Sequence, residues 1–427
     1  MTIVAGLFFI LGFATWINGA LMPYLKQILQ LTPFQASLIL FSFYIAVTFA
    51  AIPSSILIRK VGYKNGMALG MAVMMLAGLL FIPAAKTQIF ALFLFAQLVM
   101  GSGITLLQTA VNPYVVRIGP EESAAARISI MGILNKSAGV IAPLVFAALI
   151  TSGFNDVGDD ISQTQIDEMA NGLILPYFGM ALFIGILAII VKNSPLPELK
   201  DDDNDVDSND AGLNESGSNE TGHFKEALSH PSLVLGVVAI FFYVAVEVIA
   251  GDTIGSFALS LGIKNYAVMT SYTMICMVVG YILGIALIPK FISQQKALMV
   301  SAIIGLLLTA GIIFGDNNSF VLANSLLVPF GGAQLPDTLL MIALLGLANA
   351  IVWPAVFPLA LSGMGKLTST GSALLIMGIS GGAFGPLFWS MAGSASSTGE
   401  QGGYIVMFPC YLFILFYAIK GHKLRQW

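Results

Sequence analysis

The chain has 427 residues, of which 57% are hydrophobic and 9% charged, and its formal net charge is -4. A soluble domain carries about 25% charged residues, so this composition excludes a soluble globule. Apolar blocks run from end to end, which also excludes a soluble body with a single anchor.

Backbone polar groups in hydrocarbon must be satisfied internally, which leaves helices or a closed barrel. The blocks here are continuously apolar, without the alternation of a barrel strand, so the chain reads as an all-α membrane protein. Twelve spans are predicted, at 3–25, 34–58, 65–85, 88–116, 127–151, 171–191, 231–260, 267–289, 297–315, 338–361, 370–393 and 403–420. Each is close to the roughly 20 residues a crossing needs. Residues 152–170 and 316–337 read as polar to mixed loops. Residues 192–230 contain DDDNDVDSND and a Ser/Asn/Gly-rich run, and are expected to form a disordered, solvated linker. That linker divides the chain into an N-terminal six-helix bundle (1–191) and a C-terminal one (231–427). No cleavable leader is expected, since the chain enters its first apolar block with no basic region before it.

Basic residues set the orientation. With the N-terminus cytoplasmic, the inner segments hold 14 of the 18 Lys and Arg residues and the outer segments only Lys26, Lys86 and Lys264; Lys136 lies inside span five. Both termini are therefore expected on the cytoplasmic side. The loop after span five carries Asp156, Asp159, Asp160, Asp167 and Glu168 and no base.

An internal repeat relates the two halves. Displaced by 241 residues, Gln108 meets Asn349, Asn112 meets Trp353 and Pro113 meets Pro354. In spans five and eleven, Met131-Gly132-Ile133 matches Met377-Gly378-Ile379, each followed by a stretch with Gly and Pro. Each half has an even number of spans, so the copies share one orientation. Two parallel repeats packed face to face around a midplane site define an alternating-access carrier.

Ionisable groups at bilayer depth cost about 2.5–3.5 kcal/mol on insertion scales and face a cavity or a partner. Three lie deep in the spans: Lys136, Glu247 and Asp252. The two carboxylates are five residues apart on span seven, about 140° around an ideal helix. Gly251 stands between them, and a break there would set backbone carbonyls beside two carboxylates. That arrangement suits Na⁺ coordination at Asp252 and Glu247, or a proton relay. Lys136 is either a releasable partner of a span-seven carboxylate or a structural ion pair.

Gln108 and Asn112 are four apart and share a helix face; Asn349 and Trp353 form the matching face in the second half. Amides offer donors and acceptors for sugar hydroxyls, and Trp353 offers a flat platform for a pyranose. The competing reading is interhelical packing. Asn18 in span one and Asn135 in span five are further candidates, and Gln97 belongs to the same buried polar set.

Cys276 and Cys410 lie inside apolar blocks, and His223, His230 and His422 lie near segment ends. They suggest neither a disulfide framework nor a metal centre. The chain holds no G-x-x-x-x-G-K-[ST] run and no nucleophile–base pair within a span. An enzyme is not expected, and neither is a cofactor or a nucleic-acid partner.

The residues LLQTAVNPYVVRIGPEESAAARISIMGILNK, INGALMPYL, VEVIAGDTI, GLANAIVWPAVFPLA and ALLIMGISGGAFGPL, with IRKVGYKNG after span two, carry a resemblance. Together they resemble the fucose–galactose–glucose:cation symporter family of the major facilitator superfamily, across nearly the full length. The resemblance implies uptake of a neutral hexose with a cation, by a monomer in the bacterial inner membrane. It sets the sugar near Asn18, Gln108, Asn112, Asn135, Asn349 and Trp353. Fucose-type members have an Asp after the span-one Asn and a Glu before the span-four Thr-Ala, where this chain has Gly19 and Gln108. The ionisable residues here lie instead at Asp252, Glu247 and Lys136. That pattern looks like the glucose/galactose branch and favours Na⁺ over H⁺ as the co-transported ion. A multidrug or organic-ion exporter on the same fold is the alternative; the matched amide faces argue against it.

Overall fold

A computed structural model describes residues 2–117, 124–150, 163–197, 225–288, 290–332, 334–364, 367–424 and 426. The expected acidic linker lies mostly outside these residues, as does the acidic loop segment 151–162.

The described residues contain twelve helices long and apolar enough to cross a membrane. The bounds follow the hydropathy closely: span two runs Pro33–Ile58 and span ten Asp337–Leu361. Local chemistry sets the ends. Thr32 caps span two, its hydroxyl accepting from the Gln35 amide at 3.2 Å while the Gln35 carbonyl accepts from the Thr32 N–H at 3.0 Å, a reciprocal capping box. Gly62, at φ 84, makes the tight turn between spans two and three that a side chain would resist.

Two connections differ from expectation. The segment after span five contains a helix, Gln163–Gly172, continued by Ile174–Asn193. Within 316–337 a short helix forms at Val321–Leu326. Its start is capped by Asp337, whose carboxylate accepts from the N–H groups of Val321 at 3.1 Å and Ala323 at 2.9 Å and from the Ser319 hydroxyl.

Three spans of the second half are interrupted. Span seven is helical over Pro231–Asp252, bends at Thr253 and resumes at Ile254–Ser260. Span ten breaks at Ile351 between Asp337–Ala350 and Val352–Leu361. Span eleven tightens to a 3₁₀ turn at Gly378–Ser380. Such interruptions are tolerated where neighbouring helices satisfy the freed groups.

The halves meet along three seams: span one on span seven, span two on span eleven, and span five on span eight. Spans four and ten make no comparable contact among the described residues. Among the described residues, polar links cross the seams at mid-span and toward one end of the bundle. Lys26 pairs with Glu400, Ser37 and Ser390 are 3.0 Å apart, and the Tyr266 hydroxyl donates to Gln27 at 3.1 Å. The Ser271 hydroxyl donates to the Val140 carbonyl at 2.7 Å. The halves are thus tied together at the end that carries Lys26 and Glu400.

Candidate functional site

The mid-span charges lie where the halves join. Lys136 Nζ is 2.6 Å from Glu247 Oε1 and 4.4 Å from the centre of the Trp16 ring. The ammonium is therefore held by a carboxylate on one side and an aromatic face on the other, a cation–π contact worth about 2 kcal/mol when desolvated. The sequence left two partners open for Lys136; the geometry pairs it with Glu247.

Asp252 is treated differently. It is 0% exposed and forms no ion pair among the described residues. The Tyr44 hydroxyl donates to its Oδ2 at 3.4 Å, a long bond, and its Oδ1 has no partner. An isolated buried carboxylate is costly unless it is hydrogen-bonded, neutralised by a proton or beside a cation.

The break expected at Gly251, between the two carboxylates, falls instead at Thr253, one residue after Asp252, so the helix is unbroken through both carboxylates. The last-turn carbonyls before it are satisfied from span eight: the Thr270 hydroxyl donates to the Gly251 carbonyl at 2.8 Å, and the Thr273 hydroxyl to the Ala250 carbonyl at 3.2 Å. A helix C-terminus carries partial negative charge, so the break adds to the field around Asp252.

The amide candidates divide into two groups. Asn18 is buried and its Oδ1 accepts from Gln97 Nε2 at 2.9 Å, leaving Asn18 Nδ2 and Gln97 Oε1 unpaired. Asn135 is half-buried and donates to the Phe8 carbonyl at 3.3 Å. Both bridge helices within the first half. Asn349 is buried; its Oδ1 accepts from the Tyr411 hydroxyl at 2.8 Å and its Nδ2 has no partner. Trp353 is half-buried, stacked on Phe357 with ring centroids 5.5 Å apart and 6.3 Å from the Tyr243 ring. Tyr243 in turn interacts with Glu247. Trp353 and the Lys136–Glu247 pair therefore stand one tyrosine apart. Gln108 is half-buried and Asn112 exposed; both lie on span four, which is not packed on span ten.

Sequence reasoning missed Tyr44, Thr270 and Tyr411. Each is a hydroxyl inside an apolar block, and only the partner it finds in three dimensions distinguishes it from packing. Nor could the sequence show that the face of Trp16 covers Lys136.

A family profile described as Major Facilitator Superfamily matches residues 4–386. A protein of Brucella abortus described as a glucose/galactose transporter is 31% identical over 431 aligned positions, covering 99% of this chain and 94% of that one. The L-fucose-proton symporter of Escherichia coli is 29% identical over 393 positions, covering 89% and 83%. In solved structures, the E. coli fucose:proton symporter superposes with a TM-score of 0.69 at 25% identity, over 98% of this chain and 97% of that one. The chain belongs to the Major Facilitator Superfamily and, within it, to the fucose–galactose–glucose symporter family. It is a membrane carrier, not an enzyme.

Proposed function

We propose that this carrier imports a neutral hexose of the glucose/galactose type together with a monovalent cation. The observation that carries the reading is Asp252, a fully buried carboxylate with one unpaired oxygen, at a helix break where the two halves meet. A driving ion needs an affinity that differs between the two states of the carrier. A charged group at the seam supplies that difference, because separation of the halves changes its surroundings. The relatives' descriptions, glucose/galactose transporter and L-fucose-proton symporter, support a hexose as cargo. The co-transported ion is cargo as well, and no cofactor takes part.

The sugar is held by Gln108 and Asn112 from span four and by Asn349 and Trp353 from span ten, with Asn18 and Asn135 lining the first half. Sugar and ion each tighten the binding of the other, as linkage requires. Na⁺ is the favoured ion, because the unpaired carboxylate lies beside main-chain and hydroxyl oxygens. Glu247 and Lys136 serve as the counter-charges of the same seam.

The carrier works as a monomer in the bacterial inner membrane, with both termini and the acidic linker cytoplasmic. In that orientation the tied end faces outward, and this arrangement of the halves is closed to the outside. Counterflow in proteoliposomes tests the substrate: preloaded glucose should drive labelled glucose inward, and unlabelled galactose should compete. A panel of hexoses without counterflow would remove the sugar assignment.

A further inference from the structure

Among the ionisable groups deep in the spans, Lys136 and Glu247 cancel at 2.6 Å. Asp252 is left as one buried carboxylate without a paired cation. Its Oδ1 is not isolated from other oxygens. A Cβ built on Gly19 would lie 2.8 Å from that Oδ1, 2.5 Å from Thr270 Oγ1 and 3.0 Å from the Gly251 carbonyl oxygen. Three oxygens of different kinds therefore converge on one face of span one, and that face has no side chain. The hydroxyl donates its proton to the carbonyl, so both oxygens keep lone pairs free.

We propose that Asp252 Oδ1, Thr270 Oγ1 and the Gly251 carbonyl form a Na⁺ site against the bare face of Gly19. The inference rests on the carrier reading above and names the ion's ligands within it. Hard cations take oxygen ligands, and unwound carbonyls at half-helix C-terminal ends are used for Na⁺ in carriers. A bound ion would leave Asp252 with no net charge to bury. Gly19 is required for space, since an alanine methyl would enter the cluster. Gly19 belongs to the first half and the three ligands to the second. Parting of span one from span seven at the tied end would uncover this site while leaving its three ligands together on the second half.

The test uses purified full-length protein and follows thermal unfolding while NaCl replaces KCl or choline chloride at constant ionic strength and pH, with and without glucose. Na⁺ alone should raise the unfolding temperature of the wild type. Asp252→Asn should remove the effect. Thr270→Val should raise the half-maximal Na⁺ concentration about tenfold, the loss expected of one polar ligand to a charge, while Thr270→Ser should retain wild-type Na⁺ dependence. Gly19→Ala should weaken Na⁺ as Thr270→Val does; if it fails to fold, the Thr270 pair carries the test. A wild type stabilised by glucose but indifferent to Na⁺ would overturn the site and leave the carrier reading intact. Unaltered Na⁺ dependence in Thr270→Val would overturn it too. A Na⁺-specific shift without any sugar response would uphold the site and remove the sugar assignment instead.

Discussion

Lys136 Nζ lies 2.6 Å from Glu247 Oε1, while Asp252, five residues further along the same span, forms no ion pair among the described residues and accepts from the Tyr44 hydroxyl at 3.4 Å. One span therefore holds two carboxylates in different electrostatic states, one neutralised by the protein and one not. That division underlies the proposal that Asp252 serves a mobile cation while Glu247 closes an internal pair.

Asp252→Asn should abolish ion-driven accumulation and leave downhill exchange, because it removes the charge and keeps the shape. Comparison of concentrative uptake with counterflow in the same proteoliposomes checks this. Unchanged accumulation would remove Asp252 from coupling.

Lys136→Met should destabilise the fold by about 3–5 kcal/mol, the cost of leaving a buried carboxylate without its partner. Adding Glu247→Gln should recover most of that loss, since the pair then disappears as a unit. Thermal unfolding of the two single variants and the double variant measures the coupling.

The spans were largely legible in the sequence, and parts of the site were not. Continuous apolar blocks predict 34–58 and 338–361, and the membrane-crossing stretches, Pro33–Ile58 and Asp337–Leu361, lie within a residue of those limits. The helix at Val321–Leu326 was not legible, because Asp337, far along the chain, caps it. A break in span seven was legible, but not its place: it was expected at Gly251 between the two carboxylates and falls at Thr253, beyond both. The bonds of Thr270 and Thr273 from span eight to the carbonyls before it were not legible. Asn18 and Asn349 stood out as costly polar residues. Their partners, Gln97 and Tyr411, are set by helix packing that no local pattern encodes.

Tyr411→Phe should leave Asn349, already unpaired at Nδ2, without its remaining protein bond. A loss of about 1–3 kcal/mol is expected for a stranded buried polar group, and saturating sugar should offset part of it if Asn349 binds sugar. Unfolding temperatures with and without glucose report both effects.

Gln108→Ala should raise the half-saturating sugar concentration about fivefold to tenfold, corresponding to roughly 1–1.5 kcal/mol of lost hydrogen bonding. Initial-rate uptake measures it. Wild-type affinity in the variant would return Gln108 to helix packing.

Glu400→Gln should loosen the tied end. The Lys26–Glu400 pair is only partly buried, and partly exposed pairs contribute about 0–1 kcal/mol, so a shift of up to about fivefold toward the open state is expected. A Ser37→Cys reporter, buried on the seam between spans two and eleven, should react faster with a membrane-impermeant thiol reagent added outside.

The central claim, a hexose carrier driven by a cation at Asp252, is tested most directly by labelled glucose uptake into proteoliposomes with an inward Na⁺ or an inward H⁺ gradient imposed separately. Accumulation with Na⁺ alone, lost in Asp252→Asn, is the predicted result. Accumulation driven by H⁺ alone would contradict the Na⁺ assignment, and no accumulation under either gradient would contradict coupled hexose uptake itself.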